Sequence, residues 1–91
     1  MKCTVVIRTL NEAPRLRLTL ASLARQTVAP EVIVVNDGST DETATVIASF
    51  ADRLDLAAIH HPAPLGRSVA SNVGAEAASG DIVLFLDGDT L

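Results

Sequence analysis

Gly80-Asp81-Ile82-Val83-Leu84-Phe85-Leu86-Asp87-Gly88-Asp89-Thr90-Leu91 decides how the rest of this 91-residue sequence is read. Five apolar residues in a row, rich in β-branched and aromatic types and bounded by turn residues, predict a fully buried strand. That strand delivers two carboxylates, Asp87 and Asp89, with one glycine between them. In an open parallel sheet, ligands bind beyond the carboxyl ends of the strands. Two acids there suit a hard divalent cation beside phosphate oxygens. Asp and Gly are also ordinary turn residues, so a solvated turn is the competing reading of the motif taken alone.

Upstream, the same grammar repeats three times. Residues 3–7 read as a first strand that releases the chain into the polar segment Arg8-Thr9-Leu10-Asn11-Glu12. Pro14 suits the first turn of a helix, where its missing N–H costs little. Leu16, Leu20, Leu23 and Thr27 then recur at helical spacing, with Arg15, Arg17 and Arg25 off the stripe. After Pro30, residues 31–35 form a second strand ending in Asn36-Asp37-Gly38-Ser39-Thr40-Asp41-Glu42. Ser39 and Glu42 have capping-box spacing, which predicts a helix starting near Thr40, with Thr43, Val46, Ile47 and Phe50 facing inward. Asp37 lies outside that explanation, at the strand end where a ligand would sit.

Residues 54–59 read as a weaker third strand closed by His60-His61-Pro62. Adjacent strand residues point to opposite faces, so the two histidines are read as ordinary strand-end residues rather than a chelating pair. A third helix is predicted over residues 67–79, with Gly80 as its C-terminal cap. Its Ala70, Gly74, Ala77 and Ala78 are small enough for close packing on a sheet. Strand–helix repeated three times and then a fourth strand implies an α/β fold, an open parallel sheet with helices on both faces. Thr9, Asn11, Glu12, Asp37, Asp87 and Asp89 then all fall on one edge. For the loops after the first and fourth strands to share a ligand, the strand order must be 3-2-1-4.

Composition bounds the chemistry. Nearly half the residues are hydrophobic, yet Trp and Tyr are absent and there are only two Phe, so Val, Ile, Leu and Ala must build the core. No apolar run approaches the roughly 20 residues that span a bilayer. Arg8 interrupts the first apolar run, which is therefore no signal peptide, and a cytoplasmic location is expected. Net charge is −4 without a basic cluster, which argues against a nucleic-acid partner. One cysteine, Cys3, excludes an internal disulfide and thiolate-rich metal sites, and reads as a core residue. The chain ends one residue past Asp89-Thr90, so it is expected to be the front portion of something longer.

The sequence has no Gly-x-Gly-x-x-Gly, no Gly-Lys-Ser/Thr phosphate loop and no Gly-x-Ser-x-Gly. Metal-bridged diphosphate binding remains, with Asp37 holding a base or sugar. As a carboxylate, Asp37 accepts hydrogen bonds and suits the ring N–H of uracil, thymine or guanine alike. At this point the sequence resembles family 2 glycosyltransferases. The resemblance rests on Val6-Ile7-Arg8-Thr9-Leu10-Asn11-Glu12, Val34-Val35-Asn36-Asp37-Gly38-Ser39-Thr40-Asp41 and Phe85-Leu86-Asp87-Gly88-Asp89, and spans the whole chain in order.

The resemblance implies a GT-A fold and an inverting transfer of a sugar from a nucleotide donor to an acceptor hydroxyl. It implies a uridine, thymidine or guanosine diphosphate donor, with residues 1–91 as the N-terminal donor-binding portion. Thr9, Leu10, Asn11 and Glu12 would line base and ribose, Asp37 would bind the base, and Asp87 would lie near the ribose. Asp89 would ligate Mn²⁺ or Mg²⁺, and the catalytic base and acceptor pocket would follow Leu91. The sequence departs from the family at Pro64-Leu65, where an Asn often precedes the glycine, and at Ser71, where an Arg is common. Arg67, one turn earlier, could supply the missing cation to the diphosphate. Two rival readings are a non-catalytic nucleotide-binding fragment and an aspartate-nucleophile phosphatase. The latter also places Asp-x-Asp after a strand, but with a different threonine spacing.

Overall fold

The computed structural model describes residues 2–87. Seven elements alternate along the chain: β1 (Cys3–Thr9), α1 (Ala13–Ala24), β2 (Glu31–Asp37), α2 (Thr43–Ser49), β3 (Asp55–His61), α3 (Arg67–Ala77) and β4 (Ile82–Asp87). All strand pairs are parallel and the sheet order is β3-β2-β1-β4, as the ligand-sharing argument required.

β1 and β2 are central strands of Val, Ile and Thr, and alternate side chains feed two cores. Val5, Ile7, Val32 and Val34 pack with Leu16 and Leu20 of α1 and with Val46, Ile47 and Phe50 around α2. Val6, Ile33 and Val35 face the other way, against Ala70 of α3. Gly74 lets α3 settle on that face. A Cβ there would lie 2.3 Å from Val6 Cγ1, so the small-residue reading of this helix holds at Ala70 and Gly74. Ala77, assigned to the same stripe, is exposed because it is the last residue of α3.

Several local expectations are corrected. α2 begins at Thr43, and its start has no side-chain cap from Ser39 or Glu42. Asp41 takes that role, its Oδ1 accepting from the Thr43 N–H at 2.9 Å and from the Thr43 hydroxyl. These bonds from Thr43 hold the Asp41 carboxyl below its usual range against the opposing effect of burial. Ser39 instead accepts from the Asn11 N–H at 2.9 Å, because tying two neighbouring loops satisfies a donor that the helix start does not need. α3 stops at Ala77, and Gly80 is not its left-handed cap. Gly80 is there for close approach, since its N–H donates to Thr4 Oγ1 at 2.9 Å and a Cβ would lie 2.5 Å from that oxygen.

β4 is not fully buried. Among the described residues it is an edge strand with β1 as its one neighbour, and Ile82, Leu84 and Phe85 are about half exposed. An apolar run records what a strand tolerates on its faces, and the described helices lie over β1 and β2 instead. The strands β1, β2 and β3 each run two residues past their expected ends. Arg8, Thr9, Asn36, Asp37, His60 and His61 therefore belong to the sheet itself rather than to loops.

Candidate functional site

Two-residue alternation sorts these six polar residues onto two faces. Arg8, Asp37 and His61 continue the face of Val6, Val35 and Ile59, under α3. Thr9 and Asn36 continue the opposite face, where Asn36 Nδ2 and His60 Nδ1 are 3.1 Å apart. The two histidines thus do point apart, and each meets its own register partner on β2.

Asp37 is completely buried and bonded at both oxygens. Oδ1 accepts from His61 Nδ1 at 2.9 Å and from the Leu65 N–H at 2.9 Å. Oδ2 accepts from Arg8 Nη2 at 3.2 Å and from the Gly66 N–H at 3.1 Å. A carboxylate has about four acceptor positions, so this one is saturated. Burial opposes its ionisation, but bonds from His61, the Leu65 N–H, Arg8 and the Gly66 N–H outweigh burial together and bring its pKa to about 2. Because the ionised carboxylate only accepts, His61 carries its proton on Nδ1 in this contact. The loop that supplies two of these donors rests directly on Gly38. That residue has φ +83°, and a Cβ on it would sit 2.5 Å from the Pro64 nitrogen.

Beside Asp37, a cleft of about 140 Å³ opens between α3 and β4. Arg8, Arg67 and Ser71 line it together with Val6, Phe85 and Leu86, the last with its side chain packed into the core on the other face of the sheet. β4 brings Asp87 into register with Arg8 at this same edge of the sheet.

The residues expected from the sequence are distributed unevenly around this centre. Arg67 lines the cleft together with Arg8, the residue that bonds Asp37. Thr9 is buried, with its hydroxyl unpartnered among the described residues, and Leu10 follows half-buried. Asn11 has φ +53°, a conformation Asn tolerates better than most residues. Its side-chain oxygen accepts from the Thr40 and Asp41 N–H groups at 2.8 and 3.2 Å, so that oxygen ties two loops together. Glu12 turns to Arg15, at 3.7 Å. The Asp87 side chain and all of Asp89 lie outside the described residues. Among those described, no three His, Cys, Asp or Glu side chains converge as a metal site, and no helix is long and apolar enough to cross a membrane.

Sequence reasoning missed Arg8 and His61 as parts of the site. Their signal was present: a charged residue ending an apolar strand, and a histidine at the matching end of a strand two places away. Reading it required the strands to be two residues longer and the order 3-2-1 to be fixed.

Comparison with known proteins places the chain. The family model described as Glycosyl transferase family 2 matches residues 4–91. Validoxylamine A glucosyltransferase of Streptomyces hygroscopicus subsp. limoneus is 47% identical over 89 residues, covering 92% of this chain and 19% of that protein. Among solved structures, S. aureus TarS 1-349 in complex with UDP-GlcNAc superposes with a TM-score of 0.92 at 33% identity, covering 98% of this chain and 27% of TarS 1-349. The mannosyltransferase PcManGT from Pyrobaculum calidifontis, in complex with GDP-Man and Mn²⁺, gives 0.89 at 31% identity, covering 97% of this chain and 27% of PcManGT. The chain thus spans between about a fifth and just over a quarter of the length of these relatives. A phosphatase assignment has no support beside these matches. With a GT-A sheet, a matching family model over nearly its whole length and glycosyltransferases as its relatives, the chain belongs to glycosyltransferase family 2.

Proposed function

We propose that these residues form the donor-binding portion of an enzyme that transfers a sugar from a nucleoside diphosphate to an acceptor hydroxyl, with inversion. The observation that carries this reading is the convergence of Asp37, Arg8, His61 and the Arg67 cleft on one sheet edge. Relatives bound to UDP-GlcNAc and GDP-Man support a nucleotide sugar as the ligand.

In this reading Asp37 accepts from the base N–H. Its four positions are full, so the base replaces a donor already there. Arg8 and His61 come from strands, whereas the Leu65 and Gly66 N–H groups come from an exposed segment. The loop groups are the ones to yield, and the pocket exchanges one N–H for another at little electrostatic cost. Arg67, at the exposed first position of α3, faces the diphosphate across the cleft mouth. Asp87 lies by the ribose. Leu10, Asn11 and Glu12 shape the base-side wall, Asn11 by holding the loops rather than by touching the base with its engaged oxygen, whereas Thr9 points to the other face of the sheet.

Asp89, with Asp87 beside it, is proposed to hold Mn²⁺ or Mg²⁺. The donor set fits such an ion: hard carboxylate oxygens, no protein cage among the described residues, and therefore positions left for phosphate oxygens and water. A divalent cation there supplies charge neutralisation for the departing nucleoside diphosphate. The chain's own contribution is to hold the donor in one orientation, which lowers the entropic part of the barrier. The base that takes the acceptor's proton is proposed to lie outside these 91 residues. Asp37 and Asp41 are already bonded and Glu12 is turned to Arg15, so none is placed for that work.

Calorimetry with uridine and cytidine diphosphates, each with and without Mn²⁺, tests this reading. UDP is expected to bind tighter than CDP by about 1.5–3 kcal/mol, the worth of a hydrogen bond to a charged group. Mn²⁺ and UDP should strengthen each other reciprocally. Equal UDP and CDP affinities would remove the role given to Asp37. Indifference of UDP to Mn²⁺ would remove the one given to Asp89.

A further inference from the structure

Arg8 is four-fifths buried and carries five N–H donors. Among the described residues it uses one of its end nitrogens for Asp37, while its Nε is buried with no acceptor. Leaving donors buried and unpaired is costly, and native structures rarely do so without reason. The guanidinium also forms part of the cleft wall, so its remaining donors have a place where an acceptor could enter.

The identity of that acceptor follows from what surrounds it. Arg8 Nη2 and Asp37 Oδ2 stand 3.2 Å apart, which sets a hydrogen-bond donor and an acceptor side by side. The edge of a uracil or guanine ring offers the complementary pair, an N–H beside a carbonyl oxygen. A cytosine ring offers an acceptor nitrogen where the N–H should be. Next to Arg8 on the same face of the sheet, Val6 and its register partner Phe85 add apolar surface to the cleft. A flat ring packs well against such a surface.

We propose that Arg8 is a base-reading residue, donating to the carbonyl oxygen that flanks the base N–H accepted by Asp37. This inference rests on the Asp37 reading above and adds a second contact to it. The pair then selects by two bonds of opposite sense. A base with the wrong edge displaces a loop donor from Asp37 without replacing it, while the Arg8–Asp37 bond remains, and a site built on such hydrogen bonds discriminates more strongly than shape alone.

Calorimetry on the full chain with UMP, 3-methyl-UMP and inorganic diphosphate separates the two readings. The native chain should prefer UMP to 3-methyl-UMP. Arg8→Gln should lower UMP affinity about tenfold or more and leave diphosphate affinity unchanged. If the native chain binds UMP no better than 3-methyl-UMP, or not at all, the Asp37 reading fails and takes the Arg8 proposal with it. If that preference is present but Arg8→Gln keeps native UMP affinity, the Arg8 proposal alone is overturned. An equal loss of diphosphate affinity would assign the guanidinium to phosphate and overturn it as well. Should Arg8→Gln fail to fold, Arg8→Lys retains the charge beside Asp37. A lysine is a point donor without the planar fork, so the same tenfold loss is expected. Native UMP affinity in a folded Arg8→Lys chain would refute the proposal.

Discussion

β2 begins and ends with a carboxylate, and the two ends of the strand have been put to different uses. At its start, Glu31 accepts from Ser79 N–H at 2.9 Å, Ser79 Oγ at 2.8 Å and Thr4 Oγ1 at 2.8 Å, with Lys2 Nζ at 3.7 Å. At its end, Asp37 accepts four bonds from strands and a loop. Each carboxyl is drawn down to a pKa of about 2, Glu31 chiefly by the Ser79 N–H, and Asp37 by its four bonds against the larger opposing effect of burial. The donors around them differ. Around Glu31 the network closes: Thr4 Oγ1 also accepts from Gly80, and the Lys2 N–H donates to Asp81 at 3.1 Å. Among the described residues, the buried side-chain polar atoms without partners are Arg8 Nε and Thr9 Oγ1, both at the Asp37 end. A closed network holds structure together, whereas an unpaired buried polar atom calls for a partner that the described residues do not supply.

Asp37→Ala gives the largest expected effect. It strips the acceptor from four donors and leaves the Arg8 charge buried alone. Removing one member of a buried ion pair costs about 3–5 kcal/mol. Urea denaturation should report that loss, and the preference for UDP over CDP should vanish with it. A loss of stability without any change in nucleotide preference would break the contrast, because both ends of β2 would then be structural.

Gly80→Ala probes the other end. Its Cβ would stand 2.5 Å from Thr4 Oγ1 and 2.8 Å from the Thr4 backbone nitrogen. Backbone cannot move aside cheaply, so overpacking of about 1–3 kcal/mol is expected. UDP affinity should stay at the native value in the folded fraction. A parallel fall in affinity would show that the two ends are coupled through β1.

Acid titration gives the smallest and most shared effect. Both carboxyls have folded pKa values near 2, below unfolded values of about 4. Their contribution is therefore fully present above about pH 4 and is lost as pH falls toward 2, since the unfolded chain takes up protons first. In Asp37→Asn, the stability measured between pH 5 and 2 should fall less steeply than in the native chain. An unchanged slope would place the acid sensitivity at Glu31 and elsewhere.

The element types, their order and the parallel sheet follow from local sequence. Val-Ile runs bounded by turns, a proline in the first turn of α1, and the Leu16/Leu20 stripe act over a few residues, and the chain cannot satisfy them otherwise. The order β3-β2-β1-β4 was also legible, because two short motifs sharing one ligand leave few topologies. Asp37 stood out as a candidate site residue by elimination, since no helix cap needed it.

What the local signals could not carry was partnership across the sheet. Ser39 had capping-box spacing, yet Asn11, 28 residues away, claimed its hydroxyl, while Asp41 capped Thr43 from nearer by. The five-residue apolar run of β4 read as buried, but burial depends on which elements lie above and below it, and β4 stands at the edge. The four partners of Asp37 come from β1, β3 and the following loop, between 24 and 29 residues distant. Sequence alone determined which residues would reach the carboxyl edge of the sheet. Tertiary structure alone decided which of them would neutralise one another and which donors would be left over, because hydrogen bonds are settled by distance in space and not by spacing along the chain.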